Sequence, residues 1–270
     1  MQRFNYNGKS SDTILSEPLY IGQYNNVLEE VPYKEKELVK GESTISRPIA
    51  NEYGSKYSNV DPIPLCLFKD SGKTFSNAEI RLVERWLMSP QTSRELVAHE
   101  CDDTIFYYCG IFTSVKWKYG NGGICACELS FQNNSPWTYQ KKTITASITG
   151  TKTIHLLCDS DEEEMYTYPT IRITKKNATG KVYIKSVTDN NNLMTINCLQ
   201  DLGMIINCSQ NIIMDDTTKD LITYEDLGWS DIGNIYWFRL KSGDNEIVIS
   251  GDCSITFSYK ERQRIVGGLC

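Results

Sequence analysis

The chain has 270 residues and a mass of 30.8 kDa. That exceeds the roughly 100–200 residues usual for one domain, so two domains are expected. Hydrophobic residues make up 40% and charged residues 23%, which excludes bulk disorder; mean hydropathy is -0.39, and no apolar run reaches the roughly 20 residues of a membrane-spanning helix. Lys plus Arg total 28 and Asp plus Glu 34, a net charge of -6, which argues against a protein that grips nucleic-acid phosphates through clustered cations.

Read from the start, Met1-Gln2-Arg3-Phe4-Asn5-Tyr6-Asn7-Gly8 is polar, and no apolar stretch of a secretory signal follows it. The ten Cys are therefore expected as free thiols in a reducing cytoplasm. Residues 28–62 are rich in charge and poor in apolar side chains, with Pro32, Pro48 and Pro62 as punctuation and Pro64 just beyond. Such a stretch cannot bury much within its own domain. The reading is an extended arm over Val31–Pro64, flexible or packed on a neighbouring subunit. Among its few apolar side chains, Val31, Tyr33, Leu38, Val39, Ile45, Ile49, Tyr53 and Tyr57 are the candidate interface residues.

One helix is predicted. Ser76-Asn77-Ala78-Glu79 is a capping box, with serine oxygen and glutamate positioned to satisfy each other's backbone N–H. Ile80, Val83 and Leu87 follow on one face with Trp86 beside them, and Pro90 closes the helix at about 77–88. Val115, Trp117 and Tyr119 then alternate with Ser114, Lys116 and Lys118. Asn121-Gly122-Gly123 turns the chain, and Cys125, Cys127, Leu129 and Phe131 alternate on the return.

A domain boundary is expected near Asn133–Gln140, where Asn-Asn-Ser-Pro is a loop signal. Domains of 1–138 and 139–270 follow. Beyond it, short apolar runs alternate with turns, the pattern of an antiparallel β-sandwich. The predicted strands are Thr143–Ile148, Thr153–Leu157, Thr170–Thr174, Lys181–Val187, Leu193–Asn197, Gly203–Asn207, Asn211–Met214, Ile235–Leu240, Glu246–Ser250 and Ser254–Lys260.

The chemistry-bearing candidates are sparse. There are only two His, His99 and His155, so the common triads and zinc sites lack parts. Cys125-Ala126-Cys127 could hold a metal with His99, Cys101 or Cys109, but both thiols fall on the apolar face of a strand. His99-Glu100 lacks the second ligand pair of hydrolase and deaminase motifs. Asp159-Ser160-Asp161-Glu162-Glu163-Glu164 offers oxygens for Ca²⁺ but has no mid-loop Gly, and a solvated loop is favoured. Asp215 and Asp216 are adjacent, so on a strand they face opposite ways and do not form an acid/base pair. Trp229, Tyr236 and Trp237 could stack on a sugar, but burial in a sandwich core is the favoured reading. No cofactor, metal or catalytic residue is predicted.

The order of features resembles the distal tail protein family (Dit) of siphophage tails. Phe4–Asp12 looks like its first strand and turn, and the capped helix ending Arg85-Trp86-Leu87 is similar to its helix. Leu129-Ser130-Phe131 with Pro136-Trp137 looks like the end of its first domain. Trp237-Phe238, Ser242–Ile247, Ser254–Tyr259 and Arg262 look like its closing strands. The resemblance implies a mainly β, two-domain chain: an N-terminal β-sandwich-like ring domain with one α-helix and an extended hairpin arm, then a C-terminal galectin-like antiparallel β-sandwich. It implies a structural, non-enzymatic virion protein of the tail tip, assembled in the host cytoplasm as a homo-hexameric ring. The ring would join tail tube protein to a tail-associated hub protein and peripheral receptor-binding proteins, with the genome passing through its lumen and no membrane insertion. The rival readings are a lectin-like adhesion protein using the C-terminal sandwich, and a β-sandwich glycoside hydrolase needing two carboxylates about 5–9.5 Å apart.

Overall fold

A computed structural model of the chain describes residues 3–23, 36–41, 52–57, 62–99, 105–120, 122–175, 181–197, 203–223 and 236–263. These fall into two compact units, one within Met1–Thr138 and one spanning Tyr139–Gln263. The chain is mainly β with antiparallel pairing throughout, and one α-helix among the described residues.

Unit 1 contains, in order, β1 (Asn5–Tyr6), β2 (Lys9–Ser10), β3 (Leu19–Gln23), β4 (Lys36–Lys40), β5 (Glu52–Tyr57), β6 (Ile63–Lys69), α1 (Asn77–Met88), β7 (Arg94–His99), β8 (Ile105–Gly120) and β9 (Gly123–Asn133). Pairing runs β3-β6-β9-β8-β7-β1-β2. This run curls over its own inner face: the Tyr6 ring on β1 lies edge-on to Phe112 of β8 at 4.9 Å and to Phe131 of β9 at 6.4 Å. A bulge between Phe112 and Ser114 bends the long β8. Gly120 pairs with Gly123, so the β8–β9 turn has two residues. Gly122 sits at φ 90, a left-handed conformation that glycine adopts without strain.

Helix α1 begins as the sequence dictates. The Ser76 hydroxyl accepts from Glu79 N–H at 3.3 Å, and Glu79 Oε2 accepts from Ser76 N–H at 2.8 Å. Val83, Trp86 and Leu87 are buried against the aromatic core of Phe4, Tyr6, Phe75, Phe112 and Phe131. The helix ends at Met88 with Ser89 as its cap, one residue short of Pro90.

The expected arm ran to Pro64. Ile63 and Pro64 instead belong to β6, a strand of the main sheet opposite Phe131 and Ser130 of β9. The alternation of Leu65, Leu67 and Lys69 on the buried face explains this. The buried period-2 pattern recruits the residues just before it into the ladder, and the Pro64 position lies beyond the described β3 ladder, which ends at Leu65.

Unit 2 contains β10 (Thr138–Ile148), β11 (Thr151–Cys158), β12 (Thr170–Lys175), β13 (Lys181–Ser186), β14 (Asn192–Asn197), β15 (Gly203–Asn207), β16 (Ile212–Asp215), β17 (Gly243–Ser250) and β18 (Cys253–Gln263). Two layers face each other: β16-β15-β12-β18-β10 and β11-β17-β13-β14. Ile171, Ile173, Met204, Ile206, Ile255 and Phe257 from one layer meet Ile154, Leu156, Ile184, Ile196, Ile247 and Ile249 from the other in one core. Each such side chain contributes about 1.5–3 kcal/mol when fully buried. Hydroxyls pair across β10 and β18, Thr145 with Thr256 at 2.9 Å. The predicted strand at Ile235–Leu240 does not form over residues 236–239. Phe238 and Leu240 are buried, so the alternation is real. Leu240 alone makes an isolated bridge, to Thr167.

Candidate functional site

Strands β4 and β5 form a hairpin whose strands pair with each other and with no other described strand. Lys36 lies opposite Tyr57, Glu37 opposite Lys56 and Leu38 opposite Ser55, with a register shift before Lys40 meets Glu52. Glu37 and Lys56 form an ion pair at 3.2 Å with both side chains more than 60% exposed. Such a pair is worth at most about 1 kcal/mol. The firm anchor is at the base of the hairpin, where the Tyr57 ring lies edge-on to Trp137 at 4.9 Å. Leu38 and Val39 are exposed, 41% and 36%. Of the remaining candidate interface residues, Tyr53 is on β5, its side chain outside the described set. Val31, Tyr33, Ile45 and Ile49 lie outside the described residues.

The other candidates have structural partners. Cys127 is buried and burial pushes its thiol up to about 12, far from the thiolate that metal binding needs. His99 ends β7 opposite Ile105, and Glu100 lies outside the described residues. Within the acidic run, Glu162 is buried, Asp161 N–H donates to the Arg262 carbonyl at 3.0 Å and Asp159 N–H donates to Glu261 at 2.9 Å. Glu163 and Glu164 border an open concavity of about 690 Å³ with Tyr166 and Lys241. The Tyr166 face is covered by the Arg239 guanidinium at 4.1 Å. No group of three or more His, Cys, Asp or Glu that could hold a metal occurs among the described residues. Asp215 accepts from Thr217 and Thr218 N–H, both at 2.7 Å, closing a turn, while Asp216 pairs with Arg172 and Lys219. Of the aromatic trio, Tyr236 and Trp237 pack against the sandwich core, and Trp229 lies outside the described residues.

Two charged clusters escaped the sequence reading. In unit 2 the buried Asp189 carboxylate accepts from Tyr236 O–H at 2.9 Å and Arg239 Nε at 2.8 Å. Burial opposes its charge, but Arg239 and Tyr236 outweigh it and hold the carboxyl below its usual range. In unit 1 the Lys69 ammonium is buried among Glu79, Glu17 and the Thr74 carbonyl. The partners are 47, 50 and 10 residues apart in sequence, so no local motif announces either cluster. Both tie one element to another, and Lys241, which pairs with Asp189 at 3.8 Å, also borders the concavity beside Tyr166.

The β4–β5 hairpin thus stands apart from the larger described sheets in its strand pairing. Comparison with known proteins identifies the family. A family model described as phage tail protein N-terminal domain matches residues 1–135, and one described as phage tail C-terminal domain matches residues 137–259. No curated protein sequence matches the chain. Among solved structures, the chain is similar to the Dit protein of phage SPP1, described as a paradigm of hub adsorption apparatus in phages infecting Gram-positive hosts. That match has 12% identity and a TM-score of 0.56, covering 97% of this chain and 98% of that one. It is similar also to a chain of the phage P2 baseplate in its activated conformation, with Ca (11% identity, TM-score 0.56) and with Sr (11%, 0.58), each covering 97% of this chain and 99% of that one. At such identities these likenesses establish the shared fold. With the first family model covering half the chain and the second nearly all the rest, the chain belongs to the phage tail protein family that these two domains define.

Proposed function

We propose that six copies of this phage tail protein close into a ring at the tail tip, the β4–β5 hairpin of each copy packing on its neighbour. The ring joins the tail tube protein to the hub protein and to peripheral receptor-binding proteins, and its lumen passes the genome. The hairpin carries the reading. A two-stranded hairpin alone is marginal in water, and this one pairs with no other described strand while exposing Leu38 and Val39. The end-to-end likeness to a Dit chain supports it. Net charge -6 suits a conduit that repels DNA phosphates. We assign the chain a structural role without enzymatic activity, as a virion component assembled in the host cytoplasm.

Sedimentation of the purified full chain with electron microscopy of the same sample tests the ring. Closed six-fold particles are expected. A monomer at every concentration would defeat the reading.

A further inference from the structure

Two loops of unit 2 enclose the open concavity of about 690 Å³: 163–166, between β11 and β12, and 241–243, leading into β17. Both loops are pinned. The Asn245 side chain, 1% exposed, accepts from Lys241 N–H at 2.9 Å and donates to the Lys241 carbonyl at 2.8 Å. The Ser242 hydroxyl donates to the Ser160 carbonyl at 3.0 Å. Arg262 donates to the Tyr166 carbonyl at 3.2 Å, and Met165 N–H donates to the Glu162 carbonyl at 3.2 Å. The Arg239 guanidinium that covers one face of Tyr166 is itself held by buried Asp189. The concavity is thus preformed, and its walls need little ordering when a ligand enters.

The fold uses its lining groups only in part. The ion pairs of unit 2 among the described residues join Lys142 to Glu261, His155 to Asp244, Arg172 and Lys219 to Asp216, and Arg239 and Lys241 to Asp189. Glu163 and Glu164 are exposed and take part in none of these. The Lys241 ammonium carries several donors; it donates to the Thr188 carbonyl at 3.2 Å and lies 3.8 Å from Asp189. Met165 is 44% exposed, beside the half-buried Tyr166. Unspent carboxylates, an ammonium and apolar surface therefore border one space.

An anion would meet Glu163 and Glu164, a lone cation would meet Lys241, and an apolar ligand would strip water from both carboxylates without replacing it. A neutral polyhydroxyl ligand satisfies every group. Its O–H groups donate to carboxylates, its oxygens accept from an ammonium, and its C–H face packs on an aromatic ring. We propose that this concavity binds a neutral saccharide, with Glu163 and Glu164 accepting from hydroxyls, Lys241 donating to a sugar oxygen, and Met165 and Tyr166 against the C–H face. Tyr236 does not stack on the sugar; its O–H donates to Asp189 and so helps to hold the carboxylate that positions Arg239. The site lies wholly in unit 2 and does not rest on the ring.

The test is binding of the fluorescently labelled full chain to an array of immobilised glycans. The array carries neutral hexoses and N-acetylhexosamines beside sialylated and sulfated glycans. Reproducible binding to neutral glycans is expected. It should fall about tenfold or more in Glu163→Gln with Glu164→Gln, which removes the charge from both acceptors. No neutral glycan bound, signal confined to the acidic glycans, or neutral binding undiminished in the double variant would overturn the site. Both carboxylates are exposed, so the variant should fold, and circular dichroism checks this. Should it unfold, the Met165 methyl resonance of the wild-type chain decides. A shift on adding the neutral glycan bound most strongly upholds the site, and an unmoved resonance refutes it.

Discussion

The Lys69 ammonium lies 2.7 Å from Glu79 Oε1, so one carboxylate serves both the capping box of α1 and a buried cation on β6. Burial opposes the Glu79 charge. Lys69, the Ser76 N–H and the Ser76 hydroxyl outweigh it, and the carboxyl is held down to about 2. A depressed folded-state pKa gives stability that is complete above the unfolded value, about 4.3, and is lost as pH falls through the folded one. Unit 1 should therefore lose stability between about pH 4.3 and pH 2. Glu79→Gln should cost about 2 kcal/mol at neutral pH and flatten that acid limb. Thermal melts of both proteins across this range measure it.

Gly110 is required for a different reason. A Cβ there would lie 2.0 Å from the Gln132 backbone oxygen, and a backbone atom cannot swing aside as a side-chain tip can. Gly110→Ala should force β8 from β9 and cost about 3 kcal/mol or more. Urea unfolding gives the value; an unchanged midpoint would mean that the strands are not so close.

In unit 2, Asp189→Asn should destabilise by about 2–3 kcal/mol, because Arg239 would lose its charged acceptor beside a buried group. Tyr236→Phe should cost only about 1 kcal/mol, one hydrogen bond. Differential scanning calorimetry of the full-length variants should give this order, Asp189→Asn worse than Tyr236→Phe.

Thiol reactivity should follow burial. Cys127 and Cys208 are buried with thiols pushed up to about 12, whereas Cys66, Cys109 and Cys125 are partly exposed. Alkylation of the native protein at pH 8 should spare Cys127 and Cys208, and in denaturant without reductant most of the ten Cys should react. Peptide mapping by mass spectrometry reads both; four or five disulfides would contradict the free-thiol assignment.

Local signals in the sequence carried far. The Ser76–Glu79 capping box placed α1, the Gly-rich turn at 121–123 placed the β8–β9 hairpin, and the alternation Ile255, Phe257, Tyr259 placed β18. What was illegible depends on distance. Asp189, in the turn between β13 and β14, meets Tyr236 and Arg239 in the segment that leads into β17, because β17 pairs with β13, and nothing within either segment points to the other. Residues 236–239 show the complementary failure: alternation reports burial, but a ladder also needs a neighbouring strand in register, which only Leu240 finds. The start of β6 was assigned to the arm because Pro62 and Pro64 read as punctuation, whereas the buried pattern after them governs. The interface residues of the arm follow from composition alone, since a partner surface leaves no periodicity in one chain's sequence.

If the hairpin arm holds copies of the chain together, its removal should leave single chains. Native mass spectrometry of the intact chain beside a variant in which residues 36–57 are replaced by a short Gly-Ser linker decides this. A six-chain mass is expected for the intact protein and a folded single chain for the variant. A variant that still assembles into the six-chain particle would mean that the arm is not what joins the copies.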